Sequence, residues 1–392
     1  MRPTALRPRL LLPLALVATV GLSACTENAD PSSDQRAVTV DSSAEGCELS
    51  TTSIPAGTAS FEVTNTGDQV TEFYVLAEDG LRIITEVENI GPSLSRTLTV
   101  ALPEGSYLTA CKPGMKGDGI RAEFTVTESD EKVEVSADQQ ELIDTAEQNY
   151  VAYVQDQADQ LLTKTEEFVD LYVAGKDDEA RALYPVARTH WERIEPVAES
   201  FGDLDPAMDL READVEEGAE WTGWHRIEKD LWPARAENYT PLTDKQRATY
   251  ADDLLANTKK LDGLVDADDF NFTVDQIANG STALLEEVAA GKVTGEEEYW
   301  SRTDLYDFQA NLDGAKVAYE GVRPVLETND AELAATLDSR FAALQTMLDE
   351  HAEGEGFVSY DTLTEAQVKQ LKDGVNALSE PLANLAAAVL GA

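Results

Sequence analysis

From Ala37 to about Val135 apolar and polar residues alternate in short runs; from Asp138 onward they recur every three or four positions. The first period sends successive side chains to opposite faces of a strand, and the second gathers them on one face of a helix. Val38-Thr-Val, Ser60-Phe-Glu-Val-Thr-Asn, Glu72-Phe-Tyr-Val-Leu, Leu81-Arg-Ile-Ile, Arg96-Thr-Leu-Thr-Val, Ser106-Tyr-Leu-Thr-Ala and Ala122-Glu-Phe-Thr-Val-Thr read as strands. Turn signals separate them, among them Asn65-Thr-Gly67, Asp79-Gly80, Gly91-Pro92 and Lys112-Pro-Gly114. About seven strands in so short a stretch is the count of a β-sandwich.

Long amphipathic runs follow at 138–175, 177–202, 208–232, 243–263, 273–290, 303–323, 330–351 and 364–390. They predict an all-α bundle of about 250 residues, arranged as two bundle-like halves. No fixed-period motif argues for a solenoid. The fold class is thus β followed by α: a sandwich over 45–130 and a helical bundle over 138–392.

The segment ahead of the strands changes the picture of where the protein works. Arg2, Arg7 and Arg9 precede an apolar stretch, Leu10 to Leu22, too short and too Pro-broken for a good membrane span. It ends in Leu22-Ser23-Ala24-Cys25, which reads as a lipobox, so 1–24 is a lipoprotein signal and Cys25 the lipid attachment point. Residues 25–44 are polar and Ser-rich and read as a flexible tether. The expected location is the extracytoplasmic face of a cell membrane.

Charge narrows the partners. The net is −45, and loss of the three signal arginines takes it to −48. A basic surface for nucleic acid is therefore not available. Most of this charge is an ordinary soluble exterior; only carboxylates converging on one spot add function. With Cys25 lipidated, Cys47 and Cys111 remain in an oxidising compartment, where a disulfide is the default and a soft metal site the alternative.

Candidate chemistry concentrates in Trp221-Thr-Gly-Trp-His-Arg-Ile-Glu-Lys-Asp-Leu-Trp232. On a helix His225 and Glu228 share a face, in a stripe with Trp221 and Trp232. Such a pair either satisfies itself or holds an ion, and hard cations demand several more oxygens. Glu192 and Glu195, with His190 nearby, and Asp304, Asp307 and Asn311 at i, i+3, i+7 spacing are the carboxylate-bearing segments that would complete a site. Glu286-Glu287 and Glu296-Glu297-Glu298 flank a turn and read as solvated surface, as does His351. Zincin, nucleophile-elbow, Walker and Rossmann motifs are all missing. In the sandwich, Cys47, Glu72, Glu86, Glu88, Cys111 and Met115 are candidate ligands, but the region has no His, which rules out a blue-copper centre.

These segments carry a resemblance. His190-Trp-Glu-Arg-Ile-Glu-Pro, Phe201-Gly-Asp-Leu-Asp, Gly223-Trp-His-Arg-Ile-Glu-Lys, Leu285-Glu-Glu-Val-Ala, Gly295-Glu-Glu and Thr303-Asp-Leu-Tyr-Asp-Phe-Gln-Ala-Asn resemble the imelysin-type (peptidase-like) domain of the EfeO family. Those proteins are extracytoplasmic components of EfeUOB-type bacterial iron uptake systems. Gly46-Cys-Glu, Thr71-Glu-Phe-Tyr-Val-Leu and Glu86-Val-Glu-Asn-Ile-Gly-Pro are similar to its cupredoxin-like domain, so the likeness runs from about Gly46 to Leu390. It implies a Gly-x-His-x-x-Glu metal motif at Gly223, His225 and Glu228. It also implies an N-terminal site for copper or iron drawn from Cys47, Glu72, Glu86, Glu88 and Cys111. Implied partners are an EfeU-type permease and an EfeB-type haem peroxidase, and the implied role is binding, not catalysis. Thr109 stands where the family pattern has a Met two residues before the second Cys, and the lipobox departs from periplasmic members. Two other readings compete: an imelysin-type metallopeptidase, for which His-x-x-Glu supplies too few ligands, and an envelope polysaccharide binder stacking sugars on Trp221, Trp224 and Trp300.

Overall fold

The computed structural model describes residues 36–80, 82–129, 136–215 and 218–391. Cys25, the expected signal and most of the expected tether lie outside the described residues.

Among the described residues nine strands build the sandwich: β1 Ala37–Ser42, β2 Cys47–Leu49, β3 Ser53–Pro55, β4 Gly57–Asn65, β5 Thr71–Ala77, β6 Ile83–Ile90, β7 Ser95–Leu102, β8 Gly105–Cys111 and β9 Ile120–Thr127. One sheet has the order β2-β1-β4-β7 and the other β3-β9-β8-β5-β6. The pairings β1–β4 and β3–β9 are parallel and the rest antiparallel. Between the sheets Phe61 meets Phe73 and Phe124, with ring centroids 5.3 and 5.5 Å apart. The tether ends sooner than expected, because Val38 and Val40 alternate into this core and make 37–42 a strand. The two extra strands, β2 and β3, are three residues each, too short to show a period.

The helical part comprises α1 Ala137–Val173, α2 Asp177–Glu192, α3 Leu204–Asp209, α4 Gly223–Leu231, α5 Asp244–Val265, α6 Val274–Ala290, α7 Asp304–Asn329, α8 Ala331–Asp349, α9 Glu365–Leu382 and α10 Leu385–Leu390. Local chemistry sets several starts. Thr243/Gln246, Thr273/Gln276 and Thr364/Gln367 form capping boxes at α5, α6 and α9. One continuous apolar core runs from Ala146 to Val389, so the expected two halves are a single body. The expected helix 208–232 is broken: α3 and α4 are joined by irregular chain with a short 3-10 turn at Glu212–Asp214. Among the described residues no helix is long and apolar enough to cross a membrane.

Helix α6 joins the two domains. Asp275 Oδ2 accepts the Ala101 N–H at 2.9 Å. Asn279 donates to the Thr99 carbonyl at 2.9 Å and to Thr85 Oγ1 at 3.2 Å, and Gln276 to the Ile84 carbonyl at 3.3 Å. Glu286 pairs with Arg96 of β7. That pairing explains why Glu286 is buried rather than solvated.

Candidate metal centre

Gly223 fixes the geometry at the start of α4. Its φ is +83°, and a Cβ there would lie 2.1 Å from the Met208 carbonyl oxygen. Only glycine lets α4 begin this tightly against the end of α3, and that contact brings Asp209 beside His225. Gly295 has a similar role on the other wall. Its φ is +78°, and a Cβ would strike the Tyr360 ring at 2.4 Å. The turn it makes aims Glu297 and Glu298 inward while Glu296 stays exposed.

His225 is 1% exposed and faces acids through both ring nitrogens. Nδ1 lies 3.3 Å from Glu228 Oε2; Nε2 lies 3.5 Å from Asp209 Oδ1 and 3.4 Å from Glu297 Oε1. Two triads, Asp209/His225/Glu297 and His225/Glu228/Glu298, each present ligand atoms within 4.8 Å of one another. Glu228 is held by its other oxygen, which accepts the N–H groups of Trp300 at 2.8 Å and Ser301 at 2.6 Å. Glu298 accepts from Ser301 Oγ at 2.6 Å and Tyr184 OH at 3.2 Å.

A second layer surrounds the triads. Arg188, fully buried on α2, pairs with Glu192 and Asp209, and its Nε lies 2.7 Å from Glu298 and 3.5 Å from Asp307. Lys292 Nζ binds Glu192 at 3.0 Å and Glu195 at 2.6 Å. Asn311 donates to Glu192 Oε2 at 3.0 Å and Glu195 Oε2 at 2.6 Å. Asp304 Oδ1 accepts the Glu298 N–H at 3.1 Å, leaving Oδ2 with no hydrogen bond; neither Asp307 oxygen has one.

Seven carboxylates (Glu192, Glu195, Asp209, Glu228, Glu297, Glu298 and Asp307) therefore share three buried cationic side chains, Arg188, Lys292 and His225, and Asp304, held only by the Glu298 N–H, adds an eighth acid. Such an excess cannot stay fully ionised out of water. Protons absorb it. Burial, and then neighbouring carboxylates, push Glu195, Glu298 and Asp307 well above the usual carboxylate range. Burial also raises Asp304 to about 7. Glu297 goes the other way: burial opposes its ionisation, but Lys292 and the His225 hydrogen bond hold it well below the normal value. Burial and Arg188 oppose a charge on His225, yet hydrogen bonds with Glu228 and Glu297 and the nearby Asp209 raise it to about 10. A multivalent cation entering this cluster replaces protons with the charge the carboxylates lack. One imidazole among carboxylate oxygens suits a hard or borderline first-row ion.

The structure gathers all six helical residues read from sequence into this cluster, but not as equals. His225 and Glu228 face each other, whereas Glu192 and Glu195 are committed to Lys292 and Arg188, Asp304 braces the Glu298 backbone, and Asp307 lies beside Arg188. Asp209, Glu297, Glu298, Arg188 and Lys292 were not singled out. Glu297 and Glu298, expected at the surface, are buried because Gly295 turns them in; His351 is buried too, at 7% exposure. His190 turns away to Gln157, Nδ1 to Oε1 2.9 Å, and burial lowers it to about 4. Trp221 and Trp232 lie outside α4, so the expected four-residue stripe is not formed. Trp224 packs in the core against Phe168 and Tyr184, Trp300 is buried, and cationic side chains cover Trp221. These rings make no platform for sugars.

In the sandwich Cys47 and Cys111 form a disulfide, tying β2 of one sheet to β8 of the other. Neither sulfur is then a thiolate ligand, so the donor set expected for copper is not present in this form. Glu72 accepts from Tyr74 OH at 2.6 Å, and burial raises it. Glu86 and Glu88 line the cleft between the domains.

Against known proteins, residues 146–385 match the imelysin family model and residues 13–126 the cupredoxin-like domain model. The iron uptake system component EfeO of Yersinia pestis is 36% identical over 343 residues, covering 86% of this chain and 87% of that protein. EfeO of Escherichia coli O1:K1 / APEC is 36% identical over 345 residues, covering 86% and 88%. The chain belongs to the EfeO family. The two-domain architecture expected from its sequence, cupredoxin-like then imelysin-like, is the one observed. Within this EfeO-family fold, the Gly-x-His-x-x-Glu segment lies at the centre of the buried charge cluster.

Proposed function

We propose that this protein is an iron-binding component of a bacterial iron uptake system, capturing the ion in the His225 cluster and passing it to a membrane permease. The observation that carries the reading is the surplus of buried carboxylates around one imidazole, a charge pattern that a multivalent cation completes. The description of its relatives as iron uptake system components points the same way. Capture here is exchange: the ion displaces the proton on His225 and those on Glu298 and its neighbours, so affinity rises with pH. Release to a permease runs the exchange backwards. Binding needs no catalytic group, and the carboxylate-rich donor set favours carriage over the peptidase chemistry in the imelysin family's background. Attachment through lipidated Cys25 keeps the carrier at the cell membrane, near an EfeU-type permease and an EfeB-type peroxidase.

Calorimetric titration of the mature chain with ferrous, ferric, cupric and zinc ions tests this. Iron binds the wild type, and His225→Ala/Glu228→Ala weakens it roughly a hundredfold or more, since even outer partners of metal ligands are worth 10–100-fold. Iron affinity unchanged in the double variant places the site elsewhere. Peptide hydrolysis that vanishes in His225→Ala would restore the metallopeptidase reading.

A further inference from the structure

At 1% exposure His225 is reached only through a gap between elements. Two cavities approach it. The larger, about 300 Å³, lies between the domains, with Glu86 and Glu88 of β6 on one wall and Glu195, Asp209 and Glu297 on the other. The smaller, about 280 Å³, is lined by His225, Glu297, Tyr299 and Trp300. Arg211 borders both cavities. Its Nε donates to Asp214 Oδ2 at 2.7 Å, and its Nη1 donates to Glu297 Oε2 at 3.4 Å. The opposite oxygen of that carboxylate, Oε1, lies 3.4 Å from His225 Nε2. One carboxylate thus links the imidazole to a guanidinium that lines both cavities.

The two grips on Arg211 are unequal. The bond to Asp214 is short and local, three residues along the chain, while the bond to Glu297 is long. Arg211 sits at the start of a 3-10 turn rather than inside a helix, and its side chain is 30% exposed against 4% for Glu297. Swinging about Asp214 therefore breaks only the weaker bond, and it frees Glu297 Oε2 without unseating the backbone.

We propose that Arg211 is the latch of the His225 site: its guanidinium holds Glu297 while the site lacks its ion, and an iron ion arriving through the interdomain cavity takes Glu297 from it. This rests on the reading of the His225 cluster as an iron site. The latch is a charge competitor, so removing the charge opens the site. A neutral side chain leaves Glu297 Oε2 to the ion, while Oε1 keeps the imidazole and the longer approaches of Arg188 at 3.5 Å and Lys292 at 4.0 Å.

Stopped-flow mixing of the mature chain with ferrous ion under anaerobic conditions, followed by tryptophan fluorescence and then by release into a chelator, tests the proposal. Arg211→Gln speeds uptake about tenfold, the factor for a latch closed nine-tenths of the time, leaves release near the wild-type rate, and so tightens iron binding about tenfold. Arg211→Lys keeps the charge and stays near the wild type. Asp214→Asn loosens the pivot and moves in the same direction as Arg211→Gln; it also provides the comparison should Arg211→Gln fail to fold. Glu86→Gln/Glu88→Gln removes two carboxylates from the cavity wall and slows uptake; an unchanged rate in that variant overturns the interdomain route. Uptake by Arg211→Gln at the wild-type rate, in a wild type that does bind iron, overturns the latch and leaves the site standing. A wild type that takes up no ferrous ion removes the site and the latch together.

Discussion

Asp304 gives the buried charge cluster a pH signature of known sign. The residue is 2% exposed; Oδ1 accepts one backbone N–H and Oδ2 has no hydrogen bond. Burial therefore raises it from 3.8 to about 7. Below 3.8 it is protonated folded or unfolded. Between 3.8 and about 7 the unfolded chain ionises and the folded chain does not, so stability falls as pH rises; above about 7 the loss is complete. At about 1.4 kcal/mol per unit, the full loss is about 4 kcal/mol. Asparagine mimics the protonated acid and does not titrate. Metal-free Asp304→Asn is therefore more stable than the wild type by about 4 kcal/mol at pH 8 and by about 2 kcal/mol at pH 5.5. Urea denaturation of the metal-free mature chain at the two pH values reads the difference, and titrating groups remote from the cluster cancel in the comparison. A variant no more stable than the wild type at pH 8, or one with the same gain at both pH values, would show that the cluster does not hold Asp304 protonated.

Three further outcomes follow from the packing. Arg188→Met leaves Glu192, Asp209 and Glu298 without their shared buried cation and lowers stability by about 3–5 kcal/mol, the cost of an orphaned buried ion-pair partner; thermal melts with and without iron measure it. Gly223→Ala forces a Cβ onto the Met208 carbonyl at a positive φ, costs more than about 2 kcal/mol, and separates Asp209 from His225, which a joint loss of melting temperature and iron affinity reports. Cys47→Ser/Cys111→Ser opens a link spanning 64 residues and destabilises the sandwich by about 4 kcal/mol, measured by denaturation under non-reducing conditions.

The alternation of period two and the helical repeat exposed both domains, because strands and helices longer than about five residues show their period directly. What stayed hidden was short or set by distant contacts. β2 and β3 are three residues each and have no period to read. The run 208–232 has helical spacing, yet Gly223 and the close approach of Met208 break it into α3 and α4. Glu296-Glu297-Glu298 looks like a solvated acidic run, and only the turn at Gly295 distinguishes the outer residue from the two inner ones. A signal was nevertheless present. Arg188 and Glu192 stand four apart on one helical face, an arrangement that pairs opposite charges, and the glycine-flanked segment Gly291-Lys292 to Gly295-Glu-Glu sits between two apolar helices. The ligand pair was legible because both members lie on one short helix; Asp209, Glu297 and Glu298 come from other elements, so no local spacing reveals them.

The hold of α6 on β6 and β7 also governs how the molecule comes apart. The helix inserts Asp275, Gln276 and Asn279 into the edge of the sandwich while its other face belongs to the bundle core through Ile277, Leu285 and Val288. Melting the bundle withdraws that helix from the sandwich and uncovers its partners, so neither domain loses structure alone. Differential scanning calorimetry of the mature chain should then show one endotherm rather than two, with the sandwich and the bundle behaving as a single thermal unit.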